Sequence, residues 1–159
     1  MNKILIIGAG RSSSSLIDYL LMHAKDCQWK ITIADANKAA VEAKILHYTN
    51  IATAVEFDVT NTSLREKLIA QSDFVVSMLP AFMHGDVAKD CVRLGKHMAT
   101  ASYVSAEMKE LDAEAIRKNI LLLNECGLDP GIDHASAMKA IDHIKSIGGK
   151  ITGFKSFCG

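Results

Sequence analysis

Eleven residues near the end of the chain, "NECGLDPGIDH" from Asn124 to His134, hold two glycines, a proline, three acids and a histidine. The run has too many turn formers for a strand and too much charge for a core, so it is expected to form a corner that displays its side chains. Among them Asp129, an acid before a proline, reads by itself as an ordinary turn residue. Glu125 is expected to face a pocket or a helix dipole, Cys126 to sit in the core, and His134 to start a helix. A second cluster stands at the other end. In "KILIIGAGRSSSS" Gly8 and Gly10 directly follow an apolar run and precede a helical pattern. In that context a G-x-G loop handles phosphate. Gly8 permits the tight turn, and Gly10 lets the backbone approach a pyrophosphate at the positive end of the helix. Ser13 takes the place of the third glycine. Ser12 to Ser15 bring hydroxyls that either reach a phosphate or fill a tight packing face.

Three further segments fit a bound dinucleotide. "ITIADAN" ends a second apolar run, and Asp35 lies where a carboxylate accepts from the adenosine ribose hydroxyls and repels a 2′-phosphate. NAD is therefore expected ahead of NADP, with Arg11 as the guanidinium that keeps NADP open. "FDVTN" offers Asp58 and Val59 near the adenine, Asp58 being equally suited to a turn or a helix cap. "SMLP" puts Leu79 and Pro80 where the nicotinamide half passes, and His84 just beyond is a lesser candidate for ligand contact.

The elements that must carry these residues alternate regularly. Apolar runs over residues 3–7, 30–34, 54–57, 74–78, 97–101 and 120–123 read as strands. Helical patterns fall between them at 13–23, 38–47, 63–71, 82–94 and 105–118, with a sixth at 133–147. Strand followed by helix, repeated, predicts an α/β fold: a doubly wound parallel sheet of Rossmann type. Continuous apolar strands suit burial on both faces. Ser63 and Glu66 have capping-box spacing, and Gly95 stands where a C-cap glycine would. The closing "KITGFKSFCG" reads as a fresh strand, so the chain is expected to hold a dinucleotide-binding domain over residues 1–132. Residues 133–159 would then be a connecting helix and the first strand of a truncated α/β substrate domain. A hydrophobic fraction of 49% with 23% charged residues is that of an ordinary globular chain, and zero net charge points to neither nucleic acid nor an anionic membrane. Four cysteines without a C-x-x-C pair fit reduced thiols and a cytoplasmic setting, and no metal site is expected.

On the nucleotide end alone, an enzyme and a regulatory nucleotide-binding domain of a channel or transporter fit equally. "ATASYVSAEMKELDAEA", "NECGLDPGIDHASAMKAID" and "GGKITGFKSFCG" go further. With "ILIIGAG" and "VVSMLP" they resemble the glutamate-forming saccharopine dehydrogenases over the whole chain. "GLDPGIDH" is specific to that family and its near relatives, whereas "GAG" is not. The resemblance implies NAD(P)-dependent oxidation of the C–N bond of saccharopine to glutamate and 2-aminoadipate 6-semialdehyde, within lysine metabolism. It also implies a longer homodimeric protein with a separate substrate domain, so this chain alone would be inactive. Near relatives such as carboxynorspermidine dehydrogenases reduce imines of other amines and remain an alternative. By the family's pattern Ala101 and Ser102 touch the cofactor, and Ser102 and Tyr103 lie where cofactor meets saccharopine. Asp129 and Cys158 line the saccharopine pocket, and Leu128 to Ala135, Gly131 included, border the nicotinamide. Tyr103 and Asp129 are the residues expected to act on substrate. Fungal members end strand two with basic or hydroxylic residues where this chain has Asp35, which leaves NADP in doubt more than the reaction.

Overall fold

The first strand shows how the sheet is buried. In β1 (Asn2–Ile7) the apolar side chains run without interruption from Ile4, and alternate ones enter different cores. Ile4 and Ile6 pack with Ile31 and Ile33 against α1 (Ser14–His23) and α2 (Lys38–Lys44). Leu5 and Ile7 pack with Val75 and Met98 on the opposite face, against α3 (Thr62–Ala70) and α4 (His84–Leu94). Since neighbouring side chains of a strand point to opposite faces, a continuous apolar strand requires cover on both.

The computed structural model describes residues 1–157. The remaining strands are β2 (Trp29–Asp35), β3 (Ala52–Glu56), β4 (Phe74–Ser77), β5 (His97–Thr100) and β6 (Leu122–Leu123), and the helices α5 (Ala106–Glu110), α6 (Asp112–Arg117) and α7 (Ile132–Ser146) complete the set. All six strands are parallel, in the order β3-β2-β1-β4-β5-β6. That order places the reversal of winding between β1 and β4. A crevice opens there at the carboxyl edge, where ligands of doubly wound sheets bind.

Several local expectations change. The expected first and fourth helices each begin with a 3-10 turn, Arg11–Ser13 and Ala81–Met83. The helix expected over 105–118 is two short helices meeting at Leu111, whose N–H bonds to the Met108 carbonyl three residues back. Asn61, not Ser63, caps α3: its side-chain oxygen accepts from Leu64 N at 3.1 Å. Gly95 does close α4 in the left-handed conformation, φ +71°. Residues 150–157, expected as a strand, are not in a strand here, since a lone run without a partner cannot satisfy its backbone as a sheet. Cys91 is buried, whereas Cys126 is exposed rather than in the core, its thiol on the Thr100 carbonyl at 3.1 Å. None of the side chains of α7 is buried. No described helix is long and apolar enough to cross a membrane.

Candidate functional site

The glycine loop is built by close approach. Gly8 takes φ +97°, and a Cβ there would stand 2.8 Å from the Met78 carbonyl, so the ends of β1 and β4 meet only because position 8 has no side chain. Gly10 differs: nothing lies within 4 Å of where its Cβ would be, and its backbone faces open space. Among the described residues the N–H groups of Gly10, Arg11 and Ser12 have no protein partner. A pyrophosphate fits such a cradle, in which any side chain at position 10 would intrude. Ser13 turns inward. Its hydroxyl and its N–H both donate to the Gly10 carbonyl, at 2.8 and 3.2 Å, so its side chain locks the loop instead of reaching a phosphate. Ser12 and Arg11 are exposed at the loop's rim.

Two charged groups grip the peptide unit of Ala9. Asp35, the last residue of β2, accepts from Ala9 N through Oδ2 at 2.6 Å and from Asn37 N through Oδ1 at 2.8 Å. Lys44 reaches back from α2 and donates to Ala9 O at 2.9 Å, Ser14 Oγ at 3.0 Å and Gly10 O at 3.4 Å. Asp35 is thus part of the loop's scaffold as well as a ribose candidate, with one lone pair left on each oxygen. Lys44 carried no signal in the sequence, where it reads as one more surface lysine of a helix.

Two clefts open along the carboxyl edge. One, of about 370 Å³, is lined by Gly8, Asp35, Asp58, Val59, Leu79 and Pro80 among others, and so gathers most of the residues expected around the adenosine and the start of the nicotinamide half. Asp58 Oδ1 accepts from Thr60 N and Oγ1 at 2.9 and 2.7 Å, which holds its carboxyl below the usual carboxylate range and makes it a turn residue at the cleft wall. Val59 is fixed from behind: the buried Arg65 donates to its carbonyl at 2.7 Å and pairs with Asp90 at 2.7 Å.

The other cleft, of about 400 Å³, is lined by Ala81, Ala101, Ser102, Tyr103, Val104, Ser105, Asp129 and Pro130. It joins two loops distant in sequence. Glu125 N donates to Ser102 O at 3.0 Å, Val104 N to Glu125 Oε1 at 3.1 Å, and Tyr103 Oη to Asp129 Oδ1 at 2.7 Å. Glu125 therefore staples the loop after β5 to the corner after β6. The hydrogen bond to Asp129 is the main cause that pushes the Tyr103 phenol up to about 12, and it leaves the second carboxylate oxygen of Asp129 open. The corner itself closes through Gly127 N to Pro130 O at 2.9 Å and Ile132 N to Gly127 O at 3.0 Å. Gly131, at φ +147°, contributes backbone only, since a Cβ would run into the Gly127 carbonyl. Leu128 is exposed on the outside of the corner. Cys158 lies outside the described residues.

His134 stands in the first turn of α7, as expected, with Nδ1 2.8 Å from Asp133 Oδ1. That bond raises the His134 pKa. Burial pushes the Asp133 carboxyl up, but the bonds from His134 and Gly131 outweigh it and leave the carboxyl below its ordinary value. Donor atoms of Asp129, Asp133 and His134 lie within 4.8 Å of one another. Asp129 accepts from Tyr103, and Asp133 bonds to Gly131 N and His134, while the second oxygen of Asp129 stays open.

Comparison with known proteins agrees with this geometry. Residues 4–123 match the family described as saccharopine dehydrogenase NADP binding domain, and residues 127–159 match the saccharopine dehydrogenase C-terminal domain. The chain belongs to the saccharopine dehydrogenase family. It is 36% identical over 157 residues to saccharopine dehydrogenase [NADP(+), L-glutamate-forming] of Saccharomyces cerevisiae, covering 99% of this chain and 34% of that protein. Mitochondrial alpha-aminoadipic semialdehyde synthase of Bos taurus is 34% identical over 157 residues, 99% of this chain and 16% of that one. The solved apo structure of saccharopine dehydrogenase (L-Glu forming) from Saccharomyces cerevisiae superposes with a TM-score of 0.79 at 34% identity, over 95% of this chain and 33% of that chain. The chain thus spans about a third of the length of the fungal relative and less of the bovine one. The family's name carries NADP, the cofactor kept open on the sequence beside NAD. Asp35 meanwhile bonds through both oxygens to backbone N–H groups of the protein itself.

Proposed function

We propose that this chain is the cofactor-binding part of an NADP-dependent dehydrogenase that splits saccharopine into glutamate and 2-aminoadipate 6-semialdehyde. The single observation that carries the reading is the second cleft. An acid and a phenol, hydrogen-bonded to each other at 2.7 Å, stand at the carboxyl edge of a sheet whose neighbouring cleft has the form of a dinucleotide site. The glycine loop, the N–H groups of Arg11 and Ser12, and the wall of Asp58, Val59, Leu79 and Pro80 would hold the dinucleotide, with Ala101, Ser102 and the Leu128–Gly131 corner near its nicotinamide. When bound, the oxidised cofactor supplies the hydride acceptor. The protein's own work lies around the substrate nitrogen. A secondary amine is protonated at neutral pH, and the C–H bond beside it yields hydride only after that proton leaves, since the nitrogen lone pair must form the C=N bond. The open oxygen of Asp129 holds the ammonium and takes its proton, while Tyr103 fixes the other oxygen and orients substrate. Water then adds to the imine carbon, and the C–N bond breaks.

The same reading includes a cytoplasmic protein, supported by the free thiols of Cys27, Cys91 and Cys126, and a homodimer in which the bare apolar side chains of α7, such as Met138 and Ile144, are covered. The test is turnover by the complete protein that carries this chain, assayed with saccharopine and NADP⁺ or NAD⁺ by the appearance of reduced-cofactor absorbance. Turnover with saccharopine and formation of glutamate are expected. Activity only on a polyamine-derived imine would replace the substrate, and binding of dinucleotide without any turnover would favour a regulatory module.

A further inference from the structure

Behind Ser102 a line of hydrogen bonds runs into the sheet. His84, the first residue of α4, is only 4% exposed. Its Nδ1 lies 2.8 Å from Ser77 Oγ, and its Nε2 lies 2.8 Å from Ser102 Oγ and 3.1 Å from Thr100 Oγ1. Ser77 and Thr100 end β4 and β5 and are register partners. The ring therefore ties the ends of two strands to the residue that follows them into the cleft. Apolar packing gives no reason for an imidazole here; burying one is costly unless both nitrogens are satisfied.

The direction of these bonds follows from counting hydrogens. Burial lowers the His84 pKa, and among the described residues no acid hydrogen-bonds to the ring; Glu107 packs against the neighbouring Gly85. The ring is neutral, with one N–H and one bare nitrogen. Among the described residues Nδ1 is the sole hydrogen-bond partner of the Ser77 hydroxyl, which is fully buried. If the proton sits on Nε2, Ser77 donates to Nδ1, Nε2–H points at Ser102 Oγ, and only the Thr100 hydroxyl hydrogen lacks an acceptor. If it sits on Nδ1, that N–H donates to Ser77 Oγ, the bare Nε2 accepts from Thr100 or from Ser102, and the Ser77 hydroxyl hydrogen is orphaned. Each form thus orphans one hydrogen, and the penalty is larger on Ser77, at 0% exposure, than on Thr100, at 3%, which favours the Nε2–H form.

We infer that Ser77 and His84 are positioning residues for Ser102: by donating to its oxygen, His84 Nε2–H turns the Ser102 hydroxyl hydrogen outward into the cleft beside Tyr103 and Asp129. Ser102 is then a fixed donor, and the ligand atom it meets is an acceptor oxygen, either the nicotinamide carboxamide or a substrate carboxylate. The inference rests on the functional reading of that cleft given above. Pre-aimed donors of this kind lower the cost of ordering a side chain on binding.

The test separates the two. Two-bond proton–nitrogen spectra of the isotope-labelled chain, with no ligand and no turnover, read the His84 tautomer. The Nε2–H pattern is expected, its loss in Ser77→Ala is expected, and an Nδ1–H pattern in the unaltered chain overturns the inference whatever the substrate proves to be. In the complete protein His84→Ala and Ser102→Ala should each weaken ligand handling by about three- to tenfold, the range of one neutral hydrogen bond. The double variant should lose no more than either alone, and His84→Gln, whose amide nitrogen stands near Nε2, should recover most of the loss. Calorimetry with NADPH identifies the acceptor. Weaker NADPH binding assigns the carboxamide, and unchanged NADPH binding with a raised KM for the amino-acid substrate assigns the carboxylate. Additive losses in the double variant, or full function in His84→Ala, refute the relay.

Discussion

Asp129→Asn distinguishes a site from a turn at the corner after β6. Tyr103 Oη donates to Asp129 Oδ1 at 2.7 Å, the length expected when the acceptor is ionised. This bond is the largest cause of a Tyr103 pKa raised to about 12; burial and the charges of Asp129, Asp133 and Glu125 follow. Asparagine can still accept from the phenol, but a neutral amide oxygen holds it more weakly than a carboxylate and one of the three charges is gone, so the phenol should move down toward its usual value of about 10. Spectrophotometric titration of the chain reads this as one of its three tyrosines ionising at lower pH, a change that a Tyr103→Phe background abolishes. In the complete protein the same substitution removes a carboxylate from a substrate ammonium. Loss of a charge-assisted hydrogen bond predicts a fall in kcat/KM for saccharopine of roughly ten- to a hundredfold. The dissociation constant for NADPH should hold, because Asp129 lines a different cleft from Gly8, Asp58 and Val59. Asparagine before Pro130 keeps the turn chemistry, and a melting curve checks that the corner survives. A folded variant whose tyrosine titration has moved while its kinetics have not would refute the substrate role. A titration that does not move would refute the influence of the Asp129 charge on the phenol.

Three further outcomes follow from the loop and the buried histidine. Gly8→Ala forces a Cβ against the Met78 carbonyl at φ +97° and should cost on the order of 1–3 kcal/mol in urea denaturation; an unchanged midpoint would show that the close approach relaxes. Lys44→Met should weaken NADH and NADPH by equal factors of about three to ten, because Lys44 holds the Ala9 and Gly10 carbonyls; a loss confined to NADPH in calorimetry would put it on the 2′-phosphate instead. The lowered pKa of His84 means that, between its folded value and the usual value of about 6.5, the unfolded chain binds more protons. Stability therefore falls as pH drops through that window, and His84→Gln should flatten the slope of urea midpoints measured across it. The raised pKa of His134 slopes the opposite way but is common to both proteins, so an unchanged slope would refute a buried neutral His84.

What the sequence made legible is what depends on neighbours in the chain. An apolar run from Ile4 to Ile7 needs two covered faces wherever it lies, and Gly8 after it needs a positive φ wherever β4 ends; the sheet and the glycine loop follow from such local demands. The capping box at Ser63 failed for a related reason. Asn61, two residues earlier, offers the same chemistry, and local pattern alone does not rank two adequate caps. Residues 150–157 read as a strand but form none here, because a strand-like run becomes a strand only beside a partner, and pairing is not local.

The site is less legible because its bonds span the fold. Tyr103 and Asp129 were each visible in a motif, yet the bond between them crosses 26 residues and exists only because Glu125 staples two loops together. Lys44 acts on a carbonyl 35 residues away, and nothing in "KAAVEAK" separates it from Lys38, which spends its charge on Glu42 at the surface. The same holds for Ser13, whose place in the loop left phosphate contact and tight packing equally open. Whether its hydroxyl turns out to ligand or in to Gly10 O is decided by burial against the strand behind it, and at 0% exposure it turns in. The motif thus locates the dinucleotide loop, while the residues that hold it in shape, Asp35 and Lys44 on either side of the Ala9 peptide, declare themselves only once β2 and α2 are folded against it. A substitution at Lys44 would leave every recognisable motif intact and still loosen the cradle those motifs advertise.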